Sequence, residues 1–167
     1  MSDRYSLSYK LMGKADEAIE SAEYSINGAF SLAAANRAYY GCFYCMTALL
    51  LSKGVLPKTH KGIRTKFSEL FIKSGILPDY ITDYTKTAFD LRQKADYDFE
   101  ADVPLETATD VIGNTKEFYQ LSLNYLESLT ANTILNSTFS DSHFTVLYVF
   151  SKKSYKRLVD TPRFSVL

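Results

Sequence analysis

The chain has 167 residues, of which 46% are hydrophobic and 23% are charged, and its 19 acidic residues balance its 19 basic ones. This composition excludes an intrinsically disordered protein, and the length suits one domain whose core needs neither disulfide nor metal. A net charge of zero also excludes a global positive field that would draw the molecule onto DNA or an anionic membrane. Any polyanion site must therefore be local.

Hydrophobic residues recur at three- and four-residue steps along most of the chain, which predicts helices. The first predicted helix covers residues 5–27. The second runs from an N-cap at Ser31 to about Ser52, where Gly54 suits the left-handed position that ends a helix. Because the second helix is apolar on nearly all sides, we expect it to be the central one.

Three further helices are predicted before the composition changes. Thr59 can cap a third helix, which Gly75 ends, and Pro78 stands at the first-turn position of a fourth helix that reaches about Asp98. The fifth covers residues 105–129. Because short connections make consecutive helices antiparallel neighbours, we predict an all-α fold. Its five helices form an antiparallel bundle over residues 1–130.

The C-terminal extension, residues 131–167, differs from the bundle. It is rich in Ser, Thr and Asn, and its β-branched and aromatic run over residues 144–150 favours a short β-strand or irregular chain. Its last part is basic, with Asp160 as the one acidic residue of positions 142–167. It could be a docking arm or a cover for the bundle.

The two cysteines, Cys42 and Cys45, have the spacing of a redox or metal motif. They lie in the middle of a predicted helix among bulky apolar neighbours, however, so we expect buried core thiols. Only His60 and His143 could join them as nitrogen ligands, so we expect no metal site and no cofactor. The polar start and the lack of a long apolar stretch predict a cytoplasmic protein with no membrane contact.

Three stretches carry polar residues suited to binding. Asn36, Arg37 and Tyr40 stand near the start of the second helix, either as an edge of the core or as part of a site. His60 and Lys61 open the third helix inside a basic run, which is either a phosphate site or a solvated face paired with the acidic region from Asp90 to Asp110.

The third stretch is Arg92-Gln93-Lys94-Ala95-Asp96-Tyr97 on the predicted fourth helix. Arg92 and Asp96 are four positions apart, so they can form an ion pair on one helix face. This pair could be purely structural, or it could belong to a binding site. In a binding site, the Arg92 guanidinium, oriented by Asp96 and flanked by the Tyr97 hydroxyl, presents hydrogen-bond donors to a phosphate.

Four segments together resemble the prokaryotic HEPN (higher eukaryotes and prokaryotes nucleotide-binding) family. They are residues 36–40, 59–62, 71–77 and 92–97, in this order and spacing. The resemblance covers about residues 5–129. It implies a helical bundle that forms a homodimer and brings two fourth-helix motifs into one cleft. Many relatives are toxins or defence proteins encoded beside a nucleotidyltransferase antitoxin.

The resemblance also implies candidate roles for these residues. Active family members are metal-independent endoribonucleases with an Arg, a polar residue and a His, and this chain has Arg92, Gln93 and, at the histidine position, Tyr97. An unperturbed tyrosine is a poor base at neutral pH. We therefore expect a nucleotide- or RNA-binding HEPN partner of a nucleotidyltransferase. The alternatives are a ribonuclease toxin, with Arg92, Asp96 and Tyr97 or His60 at its centre, and a protein-interaction scaffold.

Overall fold

The computed structural model describes the backbone of residues 3–138 and the side chains of residues 4–131. In this range the chain forms five α-helices and no strand, which confirms the predicted all-α bundle. The helices are α1 (Asp3–Asn27), α2 (Ser31–Ser52), α3 (His60–Phe67), α4 (Ile81–Tyr97) and α5 (Leu105–Thr138). None of the described helices is both long and apolar enough to cross a membrane.

The chain divides into two compact units, Met1–Ser128 and Leu129–Leu167. The first unit contains α1 to α4 and most of α5. Of the second unit, the structure describes only the end of α5. The strand predicted over residues 144–150 and the basic C-terminal residues lie outside the described part of the chain.

The central helix of the first unit is α2, as its apolar sequence predicts. It packs along α1 and also contacts α3 and α4. Cys42 and Cys45 are fully buried in it as free thiols, which agrees with their assignment to the core. Burying each large apolar side chain contributes about 1.5 to 3 kcal/mol, so this helix is the main source of stability.

A cluster of aromatic rings packs α5 against the end of α3 and the segment that follows it. The rings of Phe67 and Phe71 stack at 5.7 Å, and Phe118 of α5 lies 5.4 Å from Phe67. Here the prediction of one continuous helix to Ser74 is wrong, because residues Ser68–Ile72 form a π-helical segment. Its wider turn buries the consecutive residues Phe71 and Ile72 together in the core.

The predicted helix ends are partly confirmed. Thr59 caps α3, since its side chain accepts a hydrogen bond from the Gly62 N–H. Gly54 and Gly75 adopt positive φ values of 75° and 70°, which explains why glycine ends both segments. Ser31, however, is not an N-cap: the cap of α2 is Phe30, with no side-chain hydrogen bond.

Two helix boundaries differ from the predicted ones: the start of α4 and the end of α5. After Pro78 the chain makes a turn, and α4 begins at Ile81. In contrast, α5 continues past the predicted end at Leu129 to Thr138. No glycine or proline interrupts that stretch, and its Ser, Thr and Asn residues are only mildly unfavourable in helices.

Candidate functional site

The centre of the candidate site is an ion pair on α4. Arg92 Nη2 lies 2.7 Å from Asp96 Oδ2, and the two side chains are only 19% and 28% exposed. The other carboxylate oxygen of Asp96 accepts a hydrogen bond of 2.7 Å from Asn36 Nδ2 of α2. Asp96 therefore fixes the guanidinium of Arg92 and ties α4 to α2.

A second cation continues this chain of contacts on α2. Arg37 Nη2 donates a hydrogen bond of 2.7 Å to Asn36 Oδ1, so the Asn36 amide is held at both ends. The guanidinium of Arg37 also lies 4.8 Å from the centre of the Tyr40 ring, a cation–π distance. The predicted residues Asn36, Arg37 and Tyr40 thus adjoin Asp96 and Arg92.

Aromatic rings surround the Arg92 guanidinium. It lies 5.9 Å from the centre of the Tyr39 ring and 5.4 Å from that of Tyr97, whose side chain is largely exposed. Burial lowers the pKa of Arg92, but the nearby Tyr97 hydroxyl and the Asp96 carboxylate outweigh it, so the pKa is raised. Arg92 therefore stays a cation throughout the physiological pH range.

The hydrogen-bonding capacity of Arg92 is only partly used. One terminal nitrogen contacts Asp96, and the other donates a 3.0 Å hydrogen bond to Gln93 Oε1. The buried Nε has no hydrogen-bond partner among the described residues. A buried donor without a partner costs about 1 to 3 kcal/mol, so an anionic ligand that reached Nε would recover that energy.

His60 reaches the same end of the bundle through Tyr39. Its Nδ1 lies 2.8 Å from the Tyr39 hydroxyl, and its ring stacks on Phe43 at 4.2 Å. Burial raises the pKa of Tyr39, with Arg64 and Arg92 opposing part of that effect. Tyr39 therefore contacts His60 through its hydroxyl and is influenced by the charges of two guanidinium groups.

Two open grooves adjoin these residues. The first, of about 450 Å³, lies where α1, α2 and α4 meet, and we call it the Asn36 groove. The second, of about 480 Å³, lies between the α3 region and α4, and we call it the basic groove. The Asn36 groove is lined by Ser21, Ser25, Leu32, Ala33, Asn36, Arg37, Ala95 and Asp96.

Lys61, the chain neighbour of His60, lines the basic groove and not the Asn36 groove. It shares the basic groove with Arg64, whose guanidinium lies 3.5 Å from the centre of the Phe89 ring of α4. Sequence reasoning missed Tyr39, Arg64 and Phe89 as neighbours of the site. One signal was available for Phe89, which shares a helix face with Arg92 at a three-residue step.

Residues 8–126 match the family model described as the HEPN domain. The chain belongs to the HEPN domain family. It is 35% identical over 130 residues to a protein of Methanocaldococcus jannaschii whose name marks it as a candidate toxin; the match covers 74% of this chain and 88% of that protein. A UPF0332 protein of Thermotoga maritima is 28% identical, over 70% and 88% of the two chains.

The chemistry available to this HEPN domain follows from its geometry. A fixed, partly buried guanidinium whose Nε lacks a partner among the described residues can bind an anionic oxygen there, and a second one at a terminal nitrogen if Gln93 turns away. Exposed Tyr97 can stack on a planar group or donate a hydrogen bond. His60 is the histidine nearest to the centre in the described residues, and it contacts that centre through Tyr39.

Proposed function

We propose that this HEPN protein binds RNA or a nucleotide at Arg92 and acts in the cytoplasm as the partner of a nucleotidyltransferase in a toxin–antitoxin or defence pair. One observation carries the proposal: Asp96 and Asn36 hold a partly buried Arg92 whose Nε has no partner in the part of the chain that the structure describes. The name of the similar protein of Methanocaldococcus jannaschii supports the toxin–antitoxin setting.

In the proposed complex a phosphate oxygen accepts a hydrogen bond from Arg92 Nε, which is buried in the free protein and is uncovered when neighbouring side chains move. A second oxygen displaces the Gln93 amide from the terminal nitrogen, because Gln93 is exposed and free to turn away. Charged hydrogen bonds of this kind are worth about 1.5 to 3 kcal/mol each. Tyr97 and Tyr40 flank the ligand, and the exposed Tyr97 ring stacks on a base.

The proposal includes a homodimer. Tyr97 is 69% exposed, and Phe99, just beyond the end of α4, is completely exposed. Large aromatic side chains beside a site are typical of surfaces that become covered on association. A second copy placed there would bring two Arg92 residues together, and sedimentation of the purified protein measures whether it forms.

A metal-independent endoribonuclease is the second candidate function. It is favoured by the contact between His60 and Tyr39, which places an imidazole near the Arg92 centre. In this reaction His60 takes the proton of the ribose 2′-OH as that oxygen attacks the phosphorus, and Arg92 stabilises the charge on the phosphate. The P–O5′ bond breaks, a 2′,3′-cyclic phosphate forms, and the departing 5′-oxygen takes a proton from water or from the protonated His60. Ligand binding would have to move His60 towards the scissile bond.

The proposed binding is tested with Arg92→Ala and the control Arg4→Ala, which removes an exposed arginine near the start of α1. Labelled RNA and nucleotides are titrated, and circular dichroism checks the helix content. We expect Arg92→Ala to lose at least about tenfold in affinity, while the control and the helix content do not change. Equal binding by both variants would overturn the proposal.

Cleavage distinguishes the candidates. Incubation with a mixed RNA pool and a chelator tests for ribonuclease activity. Metal-free cleavage that both Arg92→Ala and His60→Ala abolish would replace the binding role with catalysis. If no cleavage occurs, the ribonuclease candidate is dropped. Binding that survives Arg92→Ala but is lost on deletion of residues 142–167 would instead support the interaction scaffold.

A further inference from the structure

The basic groove has the composition of a phosphate-binding track. Four cationic side chains line it, together with four hydroxyl groups and a few apolar residues, and no carboxylate. The cations are Lys61, Arg64, Lys73 and Lys86, and the hydroxyl groups belong to Thr65, Ser68, Thr82 and Thr85. The buried Thr85 hydroxyl already donates to backbone carbonyls of α4, so the other three are the ones available to a ligand. Cations and hydroxyl groups are the side chains that contact phosphate oxygens in nucleic-acid complexes.

The charges of this groove are not neutralised locally. Among the described residues, no ion pair involves Lys61, Lys73 or Lys86. Glu69 pairs with Lys66, and Asp83 and Asp90, which lie within one helical turn of Lys86, form no ion pair with it. These three lysines are all exposed. Their charges therefore accumulate in one groove of a protein whose net charge is zero, and such a local cluster is the form that a polyanion site on this chain would take.

The groove and the Arg92 centre share one face of α4. Thr82, Thr85 and Phe89 recur at three- and four-residue steps towards Arg92 and share its face of α4, and Lys86 lies at the exposed edge of that face. Arg64 covers Phe89 at 3.5 Å and acts electrostatically on Tyr39, which Arg92 also contacts. Arg64 therefore fills the gap between Lys86 and Arg92 with a fixed positive charge.

We propose that the basic groove binds the backbone of single-stranded RNA whose next phosphates lie at Arg92. The inference rests on the proposed function, since it extends the ligand from one phosphate to a strand. Lys86 and Arg92 lie about 9 Å apart along the axis of α4. A strand that rises about 3.4 Å per nucleotide covers that distance with two or three nucleotides.

A single strand fits this groove better than a duplex. Its volume of about 480 Å³ is that of a pocket for a small ligand, so it admits a short stretch of one backbone, with the bases outside, and not a duplex. An acidic protein segment is the competing ligand. The hydroxyl groups along the wall and the alignment with Arg92 favour a phosphate backbone.

The test uses the neutral variants Lys73→Gln and Lys86→Gln, with Lys10→Gln as the control because Lys10 is an exposed lysine on α1. Each is titrated with a dinucleotide and with an RNA of about ten nucleotides over a range of salt concentrations. We expect each groove variant to lose about fivefold in affinity for the longer RNA near 0.1 M salt, with a salt slope lower by about 0.7. Dinucleotide binding and the control should not change.

The outcomes separate this inference from the proposed function. If the groove variants bind the longer RNA with the same affinity as the Lys10→Gln control, the groove inference is wrong. The proposed function still stands in that case if Arg92→Ala abolishes binding. If the groove variants weaken RNA binding while Arg92→Ala does not, the groove stands and the Arg92 proposal fails. Poly-glutamate serves as a probe for an acidic protein segment. If the groove variants lose binding to poly-glutamate while their RNA binding is unchanged, the groove belongs to a protein partner and the inference is overturned.

Discussion

Asn36 and Asp96 stand sixty positions apart in the sequence, and the Asn36 amide donates a 2.7 Å hydrogen bond to the Asp96 carboxylate. The same carboxylate holds Arg92, and the same amide accepts a hydrogen bond from Arg37. One contact between α2 and α4 therefore fixes the positions of two guanidinium groups. The orientation of the candidate site depends on it.

Asn36→Ala should weaken ligand binding more than it weakens the fold. The contact is exposed, so its loss lowers the free energy of unfolding by only about 0.5 to 1.5 kcal/mol. Asp96 and Arg37 lose their shared partner, and RNA affinity should fall severalfold. Urea denaturation and RNA titration measure the two effects.

Asn124→Ala is the control for Asn36→Ala. It removes a hydrogen bond between Gln120 and Asn124 within α5, at a distance from the candidate site. It should cost a few tenths of a kcal/mol and leave RNA affinity unchanged. Equal RNA affinities for the two variants would show that the bond between Asn36 and Asp96 has no part in binding.

Thr59→Ala should destabilise the start of α3, the helix that begins at His60. Its hydroxyl accepts a hydrogen bond from the Gly62 N–H, and loss of such a cap costs about 1 kcal/mol. Ser31→Ala is the matched comparison, because α2 begins with no side-chain cap bond. Thermal unfolding should show a lower Tm for Thr59→Ala alone, and a comparable drop for Ser31→Ala would contradict the assigned caps.

Gly41→Ala should destabilise the protein because α2 contacts two other helices at this residue. An added methyl carbon would lie 2.8 Å from Thr115 Cγ2 and 3.2 Å from Ile19 Cγ1. Overpacking of this kind costs about 1 to 3 kcal/mol. At Gly13 an added methyl carbon has no neighbouring atom within 4 Å, so Gly13→Ala should stabilise α1 by up to about 1 kcal/mol through the higher helix propensity of alanine. Chemical denaturation should therefore give opposite signs, and matching signs would contradict the packing.

Alkaline pH should destabilise the bundle through its buried thiols. Burial raises the pKa of Cys42 from 9.0 to about 11, and it raises that of Cys45 as well. The unfolded chain therefore releases thiol protons at a lower pH than the folded one. For Cys42, stability is full below pH 9.0 and falls by about 1.4 kcal/mol per unit as the pH rises towards 11.

Cys42→Ala tests this linkage. Unfolding free energies measured between pH 8 and about 10.5 should fall less steeply for the variant than for the natural protein. At neutral pH, thiol reagents should modify the folded protein slowly and the unfolded chain rapidly. Parallel pH profiles for the two proteins would mean that the Cys42 proton is not linked to folding.

The sequence by itself determined the elements whose causes are local. The apolar periodicity predicts the five helices, the left-handed preference of glycine predicts the ends at Gly54 and Gly75, and four-residue spacing predicts the pair of Arg92 and Asp96. Each of these follows from interactions within one or two helical turns, which is the range over which sequence patterns carry information.

Only the tertiary structure decided which of these helices meet and at which residues. It placed Asn36 on Asp96, His60 on Tyr39 and Arg64 on Phe89. It also put Lys61 in the basic groove and formed a π-helical segment where one regular helix was predicted. These features depend on the crossing and packing of whole helices, so the residues involved have no fixed spacing along the chain.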